Sequence, residues 1–353
     1  MSLSEDIKSL AREAGFHAVG ITSAAPFLEA ERALRDSLPT AKSVIAVALS
    51  YVSDQSDKSD TSDMSGVPRG WVAAFARGLD YHGVVQERLR HMAERIRAEV
   101  GEVEVRALCD TGPISDRSAA ISAGIGSRGK NTCVYVGEYG SWVVLGELLT
   151  DIEMEPDEPS ALDICGECDE CMRACPTGAI VAPYKLDARI CLSRVTQAKG
   201  VIPIPLREKL GTRIYGCDTC QSACPLNRCA KPGNVEAFRP PAGLGGAPEL
   251  LPLLNLSPRD FEEHVAPTTA GWIRRTRFRR NVAVALGNMR DPAAVPELVK
   301  ALSDPDLIIR AHAAWSLGRI GTPDARSALE AALARETDER VLGEIHGALE
   351  QQV

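Results

Sequence analysis

Four cysteines fall in the stretch CGECDECMRACP (165–176), spaced C-x2-C-x2-C-x3-C with a proline behind the last. A second stretch, CDTCQSACP (217–225), repeats the C-x2-C-x3-C-P ending with one cysteine fewer, and Cys191 stands between the two. Thiolates in this pattern are ligands for iron–sulfur clusters. Three of them, two residues apart, wrap three corners of one cubane. The fourth is carried off by the turn that the proline opens and reaches the other cluster. That crossover assigns Cys165, Cys168, Cys171 and Cys224 to one 4Fe–4S cluster, and Cys175, Cys191, Cys217 and Cys220 to a second. Zinc ribbons also use C-x2-C knuckles, but they need neither the third cysteine nor the C-P endings. Clusters move electrons and usually transform nothing themselves, so the spacing predicts a reaction site elsewhere in the chain.

The candidate for that site is RALCDTGPISDRSAAISAGIGSRGKNT (106–132). A predicted strand ends at Asp110, a Thr-Gly-Pro turn follows, and a helix is expected over 115–123. A carboxylate at a strand end beside glycine loops suits a ligand crevice; the same residues also make an ordinary turn. The glycine turn GIGSRGKN (124–131) is neither a phosphate-binding P-loop nor a dinucleotide fingerprint. Upstream, PRGWVAAFARGLDYHG (68–83) holds Arg69, Tyr81 and His82, which helix packing alone would explain. Cys109 and Cys133 read as small buried apolar residues next to strands. Downstream, GWIRRTRFRRN (271–281) carries Arg274, Arg275, Arg277, Arg279 and Arg280 in a chain of net charge −8. Such a local patch fits phosphate contacts that position a nucleic acid, or else a solvated helix face.

Elements must hold these residues. The chain has 353 residues, 44% hydrophobic and 25% charged, as soluble globular proteins do. The N-terminus lacks the basic and apolar regions of a signal peptide, and no apolar run approaches the roughly 18 residues of a membrane span, so a cytoplasmic location is expected. Eleven cysteines there argue for metal rather than disulfides. Periodicity predicts a helix over 3–14, strands over 17–22 and 43–52, a polar loop over 53–66, a helix over 73–100 and a strand over 102–110. TCVYVG (132–137) and SWVVLGELL (141–149) read as a hairpin. Residues 1–155 form an α/β domain, with DIEMEPDEPS (151–160) as linker. Residues 161–230 form the cysteine domain, with a second linker over 232–248. Beyond 250 the chain repeats: NVAVALGNM (281–289) matches HAAWSLGRI (312–320), and PAAVPELVKAL (292–302) matches PDARSALEAAL (323–333), both at a shift of 31. Two helices per 31 residues mark a HEAT-like α-solenoid over 250–353.

The ordered set RGLDYH (77–82), CDTGPISDRSAA (109–120), GKNT (129–132), the first cysteine run, IYGCDTCQSACP (214–225) and RRNVAVALGN (279–288) resembles the epoxyqueuosine reductases. Three positions depart from that pattern: Ser127, Leu226 and Thr196-Gln197-Ala198. The resemblance implies a cobalamin in the α/β domain, a ferredoxin-like domain with two 4Fe–4S clusters, and a tRNA substrate. Its activity would be a two-electron removal of the epoxide oxygen from epoxyqueuosine at the anticodon wobble position. It further implies an external low-potential donor of flavodoxin or ferredoxin type, and a monomer. Asp110 would be the general acid, its pKa raised by burial against the corrin. Tyr81, His82, Asp110, Lys130 and Ser193, two residues after a cluster ligand, would contact the cofactor. The five arginines and the solenoid would hold the tRNA backbone. Three other readings are a cobalamin-dependent reductase of small molecules akin to the reductive dehalogenases, a ferredoxin-like electron carrier, and a non-catalytic tRNA-binding module. Cobalamin content and RNA binding separate them.

Overall fold

A computed structural model describes residues 2–53, 66–160 and 163–350. SVIAVALS (Ser43–Ser50) is buried at every residue because it is an inner strand of a four-stranded sheet. The strand order is Ala18–Ser23, Ser43–Ser50, Val143–Thr150, Val105–Leu108, and every neighbouring pair is antiparallel. An unbroken apolar strand needs cover on both faces. The helices Leu3–Glu13 and Tyr81–Val100 pack over Ile45, Val47 and Leu148 on one side, and Asp116–Ser122 packs over Val44, Ala46 and Leu149 on the other.

The expected hairpin does not form. Val134–Tyr135 pairs instead with Ser127–Arg128, while Val143–Thr150 fills the slot between Ser43–Ser50 and Val105–Leu108. A central position gives the eight-residue strand two ladders instead of one. The expected helix from 73 starts only at Tyr81, because the Asp80 side chain caps it by accepting the His82 backbone N–H at 3.2 Å. Most of the polar stretch 53–66 lies outside the described residues.

Neither expected linker is free. Asp157 pairs with the sheet edge through its backbone N–H to the Ile21 carbonyl, and its carboxylate takes the Ile21 N–H, each at 2.8 Å. Gly246 accepts the Val72 N–H at 3.0 Å, tying 232–248 to the first domain. The cysteine region is built of short helices, among them Glu170–Ala174, Leu192–Gln197 and Thr219–Ser222, and its strand Arg213–Tyr215 pairs in parallel with Trp71–Val72.

The C-terminal helices Arg274–Met289, Val295–Ala301, Leu307–Ile320, Pro323–Leu333 and Glu339–Glu350 stack as the 31-residue repeat requires. Gly287 and its repeat counterpart Gly318 each face a residue of the next long helix, Ser316 and Ala348, so closely that an added Cβ would stand 2.6 and 2.5 Å away. Their apolar core continues into Val72, Ile214 and Tyr215, so the solenoid shares its interior with the rest of the chain. Among the described residues, no helix is long and apolar enough to cross a membrane.

Candidate active site

The strand Val105–Leu108 delivers Cys109 and Asp110 to the sheet's end. Asp110 takes a left-handed conformation, φ 55°, and its backbone N–H donates to the Asp116 carboxylate at 2.7 Å. This turn aims the exposed Asp110 side chain at the first turn of Tyr81–Val100. There the Tyr81 hydroxyl donates to Asp110 Oδ2 at 2.9 Å, and His82 Nε2 stands 3.2 Å from the same oxygen. The Tyr81 and His82 rings stack with centroids 4.0 Å apart.

His82 bridges two carboxylates, since its Nδ1 lies 2.7 Å from Asp80 Oδ1. Trp272, from the segment leading into the repeats, closes the group: its Nε1–H donates to Asp80 Oδ2 at 2.8 Å, and its ring packs 4.6 Å from that of His82. Burial alone would lower the His82 pKa, but hydrogen bonds to Asp110 and Asp80 outweigh it and raise the imidazole to about 9. The hydrogen bond from His82 in turn holds Asp110 below the usual carboxylate range, against some burial and with help from Tyr81. The expectation of an Asp110 raised by burial is therefore corrected for the chain by itself. Its side chain is 61% exposed, and the held proton sits on His82.

Asp110 and Tyr81 face a cavity of about 510 Å³. Its walls mix apolar side chains, Phe75, Val134, Val143 and Leu145 among them, with polar and charged ones, including Ser115, Asp116 and Arg117. Tyr51, Cys133, Ser141 and Gln221 also line it, and the Gln221 amide donates to the Tyr51 hydroxyl and the Ser141 carbonyl at 3.0 and 2.8 Å. The Cys133 thiol meets that of Cys220. One cavity thus joins the acid group to the second cysteine set. Cys133, expected to be plain packing, lines it.

Cys165, Cys168, Cys171 and Cys224 line a separate cavity of about 110 Å³. These are the four that the crossover rule groups. Among the described residues no three His, Cys, Asp or Glu side chains converge on a single-ion point; the thiols surround a space instead. Backbone N–H groups already point at the sulfurs, from Lys130 to Cys165 at 3.4 Å and from Ala179 to Cys175 at 3.2 Å. In the second set, Cys191 feels the charges of Cys217 and Cys220, and Cys220 feels that of Cys175. Burial and neighbouring thiols push Cys171 up to about 11. A bound cation would reverse that preference, which suits cluster ligands.

Other sequence candidates fall elsewhere. Lys130 gives its ammonium to the carbonyls of Gly166 and Cys168, at 2.5 and 2.9 Å, so it holds the first cysteine loop and not the 510 Å³ cavity. Ser193 is not among that cavity's lining residues; its carbonyl takes the Thr196 hydroxyl at 2.8 Å. Arg69 binds the Ala247 carbonyl and Glu249. Arg279 and Arg280 are buried and so cannot reach a phosphate: Arg279 pairs with Asp304 at 2.6 Å, and Arg280 donates to the carbonyls of Val195, Thr196, Ala198 and Gly200. Arg275 and Arg277 are half-buried: Arg275 donates to the Leu256 carbonyl at 3.0 Å, Arg277 to those of Gln197 and Trp272 at 2.8 and 3.5 Å, and Arg274 is exposed. Leu226 borders the first cysteine cavity, Ser127 is buried, and Thr196-Gln197-Ala198 supplies the carbonyls that receive the arginines. Sequence reasoning missed Asp80, Asp116 and Trp272 as parts of the acid group; the adjacency of Asp80 to Tyr81-His82 was the available signal.

A cluster-bearing module fused to an acid-lined cavity defines an oxidoreductase, and comparison with known proteins gives the kind. Three family models match: epoxyqueuosine reductase QueG, DUF1730, over residues 32–111; a 4Fe–4S double cluster binding domain over 164–227; and HEAT repeats over 274–350. Epoxyqueuosine reductases of Bacillus cereus and Listeria monocytogenes are 36% and 38% identical, covering 99% and 98% of this chain and 97% and 96% of their own. That of Bacillus subtilis is 40% identical over 89% of this chain and 80% of its own. Among solved structures, an epoxyqueuosine reductase with an epoxyqueuosine-modified tRNA-Tyr stem loop superposes with a TM-score of 0.89 at 35% identity, covering 99% of this chain and 98% of that one. The Bacillus subtilis enzyme with its catalytic aspartate loop swung out of the active site gives 0.88 at 35% identity, covering 99% of both. The chain belongs to the epoxyqueuosine reductase family.

Proposed function

We propose that this chain removes the epoxide oxygen of epoxyqueuosine at the wobble position of tRNA, leaving the alkene of queuosine and water. The observation that carries this is one cavity lined both by Asp110 and Tyr81, with His82 bonded to Asp110 behind them, and by Cys133 and Gln221 beside the second cysteine set. Its apolar walls, interrupted by polar groups such as Ser115, Asp116 and Arg117, fit a corrin with its amide side chains lying between the α/β domain (1–155) and the ferredoxin-like domain (161–230). When bound there, cobalamin would supply a low-valent metal nucleophile charged by electrons from the two 4Fe–4S clusters.

The protein's own residues manage protons. The epoxide oxygen becomes an alkoxide as its ring opens, and Asp110 is within reach to protonate it. His82, charged below about pH 9, reloads Asp110 across their 3.2 Å contact. Tyr81 fixes the carboxyl's direction, and Asp80 with Trp272 fixes His82. Proposed ligands are Cys165, Cys168, Cys171 and Cys224 for one cluster, and Cys175, Cys191, Cys217 and Cys220 for the other. Arg274, with Arg275 and Arg277 after modest rearrangement, contacts tRNA phosphates beside the helical domain (250–353). A flavodoxin- or ferredoxin-like donor, a monomeric state and a cytoplasmic site complete the reading.

The test is anaerobic reaction of the cobalamin-loaded protein with tRNA carrying epoxyqueuosine, read by nucleoside mass. Loss of one oxygen is expected. Asp110→Asn should slow it by about 100-fold or more, the usual share of a positioned acid, with iron and cobalamin content unchanged. An intact epoxide in the wild-type reaction would overturn the reading.

A further inference from the structure

The parallel pairing of Trp71–Val72 with Arg213–Tyr215 sets Arg213 directly beside Trp71. The half-buried Arg213 guanidinium lies 5.6 Å from the centre of the Trp71 ring, a cation–π distance, and its Nη1–H donates to the Leu210 carbonyl at 3.1 Å. Its Nη2–H donates to the Thr219 hydroxyl at 2.9 Å. A ring, a carbonyl and a hydroxyl fix the group without cancelling its charge. The Thr219 hydroxyl in turn stands 3.3 Å from the Cys217 sulfur. A cysteine that ligates iron is a thiolate and has no proton to give. With Arg213 occupying a lone pair of the Thr219 oxygen, the hydroxyl's own hydrogen is left for that sulfur. Arg213, Thr219 and Cys217 therefore form a chain in which each group donates to the next, and the cation at its head strengthens the hydrogen bond at its end. The nearest opposing charge is Asp218, which is buried and accepts the Ala74 N–H at 2.6 Å.

We propose that Arg213 and Thr219 set the reduction potential of the second 4Fe–4S cluster through the Cys217 sulfur. The inference rests on the ligand reading above, in which Cys217 holds that cluster. Each one-electron reduction adds negative charge to the cluster and its sulfurs. A hydrogen bond to a sulfur, backed by a fixed positive charge, stabilises the reduced form more than the oxidised form and so raises the potential. No covalent bond is made or broken and no proton is transferred. The raised potential lets the second cluster accept electrons from the first and hold them beside the cavity that Cys133 and Gln221 line. Neither Arg213 nor Thr219 lines that cavity; both are positioning residues that act through Cys217.

The test is a redox titration of the whole, cluster-loaded protein, with each reduced cluster followed by electron paramagnetic resonance. Thr219→Val keeps the shape of the side chain and removes the hydroxyl. At a fixed potential the reduced-to-oxidised ratio of one cluster should fall about tenfold, about 59 mV for a one-electron couple, while the other cluster and the iron content stay as in the wild type. Thr219→Ser, which restores a hydroxyl, should return the potential toward the wild-type value. Arg213→Gln, which removes the charge, should move the same cluster in the same direction, and Arg213→Lys, which keeps the charge, should move it less. Wild-type potentials in both Thr219→Val and Arg213→Gln overturn the proposal, as does a Thr219→Ser shift equal to that of Thr219→Val. Cys217→Ala separates the two readings: a protein that still assembles both clusters overturns the ligand reading and the tuning with it, whereas loss of one cluster there, with unchanged potentials in the Thr219 and Arg213 variants, overturns the tuning alone.

Discussion

His82 and His312 show how two regions of one chain put the same side chain to opposite uses. His82 sits between Asp80 and Asp110, and its pKa rises to about 9. His312 lies at the joint between the cysteine region and the helical repeats, where it is fully buried. Its Nε2 accepts the Ile202 N–H at 3.1 Å, and its Nδ1 lies 2.7 Å from the Ile308 carbonyl. Burial first, then the charges of Arg207 and Arg280, push it down to about 3. One histidine holds a proton at neutral pH and the other refuses it. Carboxylates gather where the proposed chemistry is, and buried guanidiniums gather where modules must be locked.

Breaking the locked region should cost most. Arg280→Ala leaves several buried carbonyls without their donor and should destabilise by about 3–5 kcal/mol, as losing a buried charged partner does; a chemical denaturation midpoint measures it. Next comes the proton-holding region. His82→Gln should slow epoxide loss by about 100-fold while clusters and fold persist, and rate against pH should lose its limb near 9. A smaller loss is expected from Trp272→Phe, which keeps an aromatic ring over His82 but removes the N–H to Asp80. A hydrogen bond to a charged group is worth about 1.5–3 kcal/mol, and partial exposure should hold the effect to the low end, read as a downward shift of that limb.

The same contrast gives opposite pH windows for stability. His82 is raised from 6.5 to about 9, so its contribution is whole below 6.5 and fades as pH rises through 9. His312 is lowered from 6.5 to about 3, so the unfolded chain binds the extra proton and stability falls as pH drops from 6.5 toward 3. Melting temperature against pH should flatten on the acid side in His312→Gln, though with a lower plateau. The mildest effect belongs to Arg274→Ala, which should weaken tRNA binding uniformly across sequences and reduce its salt slope by about one.

Much of this was legible in the sequence because it is written in short-range spacing. The cysteine runs, the 31-residue repeat and Asp110 at a strand end all follow from local rules. What was not legible depends on residues far apart in sequence. Trp272 reaches Asp80 across 192 residues, and Arg280 reaches Ala198 across 82, so five neighbouring arginines looked alike although two are interior. The hairpin failed for the same reason: which strand lies beside Ser43–Ser50 is settled by burial across the whole sheet. The direction of the Asp110 shift could not be read without knowing that His82 stands 3.2 Å away.

The central claim is that Asp110 delivers a proton held by His82. Its most direct test is single-turnover epoxide loss against pH in the wild type, Asp110→Asn and His82→Gln, with equal iron and cobalamin loading. The account predicts a wild-type rate that falls above about pH 9, a His82→Gln rate without that limb, and an Asp110→Asn rate lower by about 100-fold or more at every pH. An Asp110→Asn protein running at the wild-type rate would contradict it.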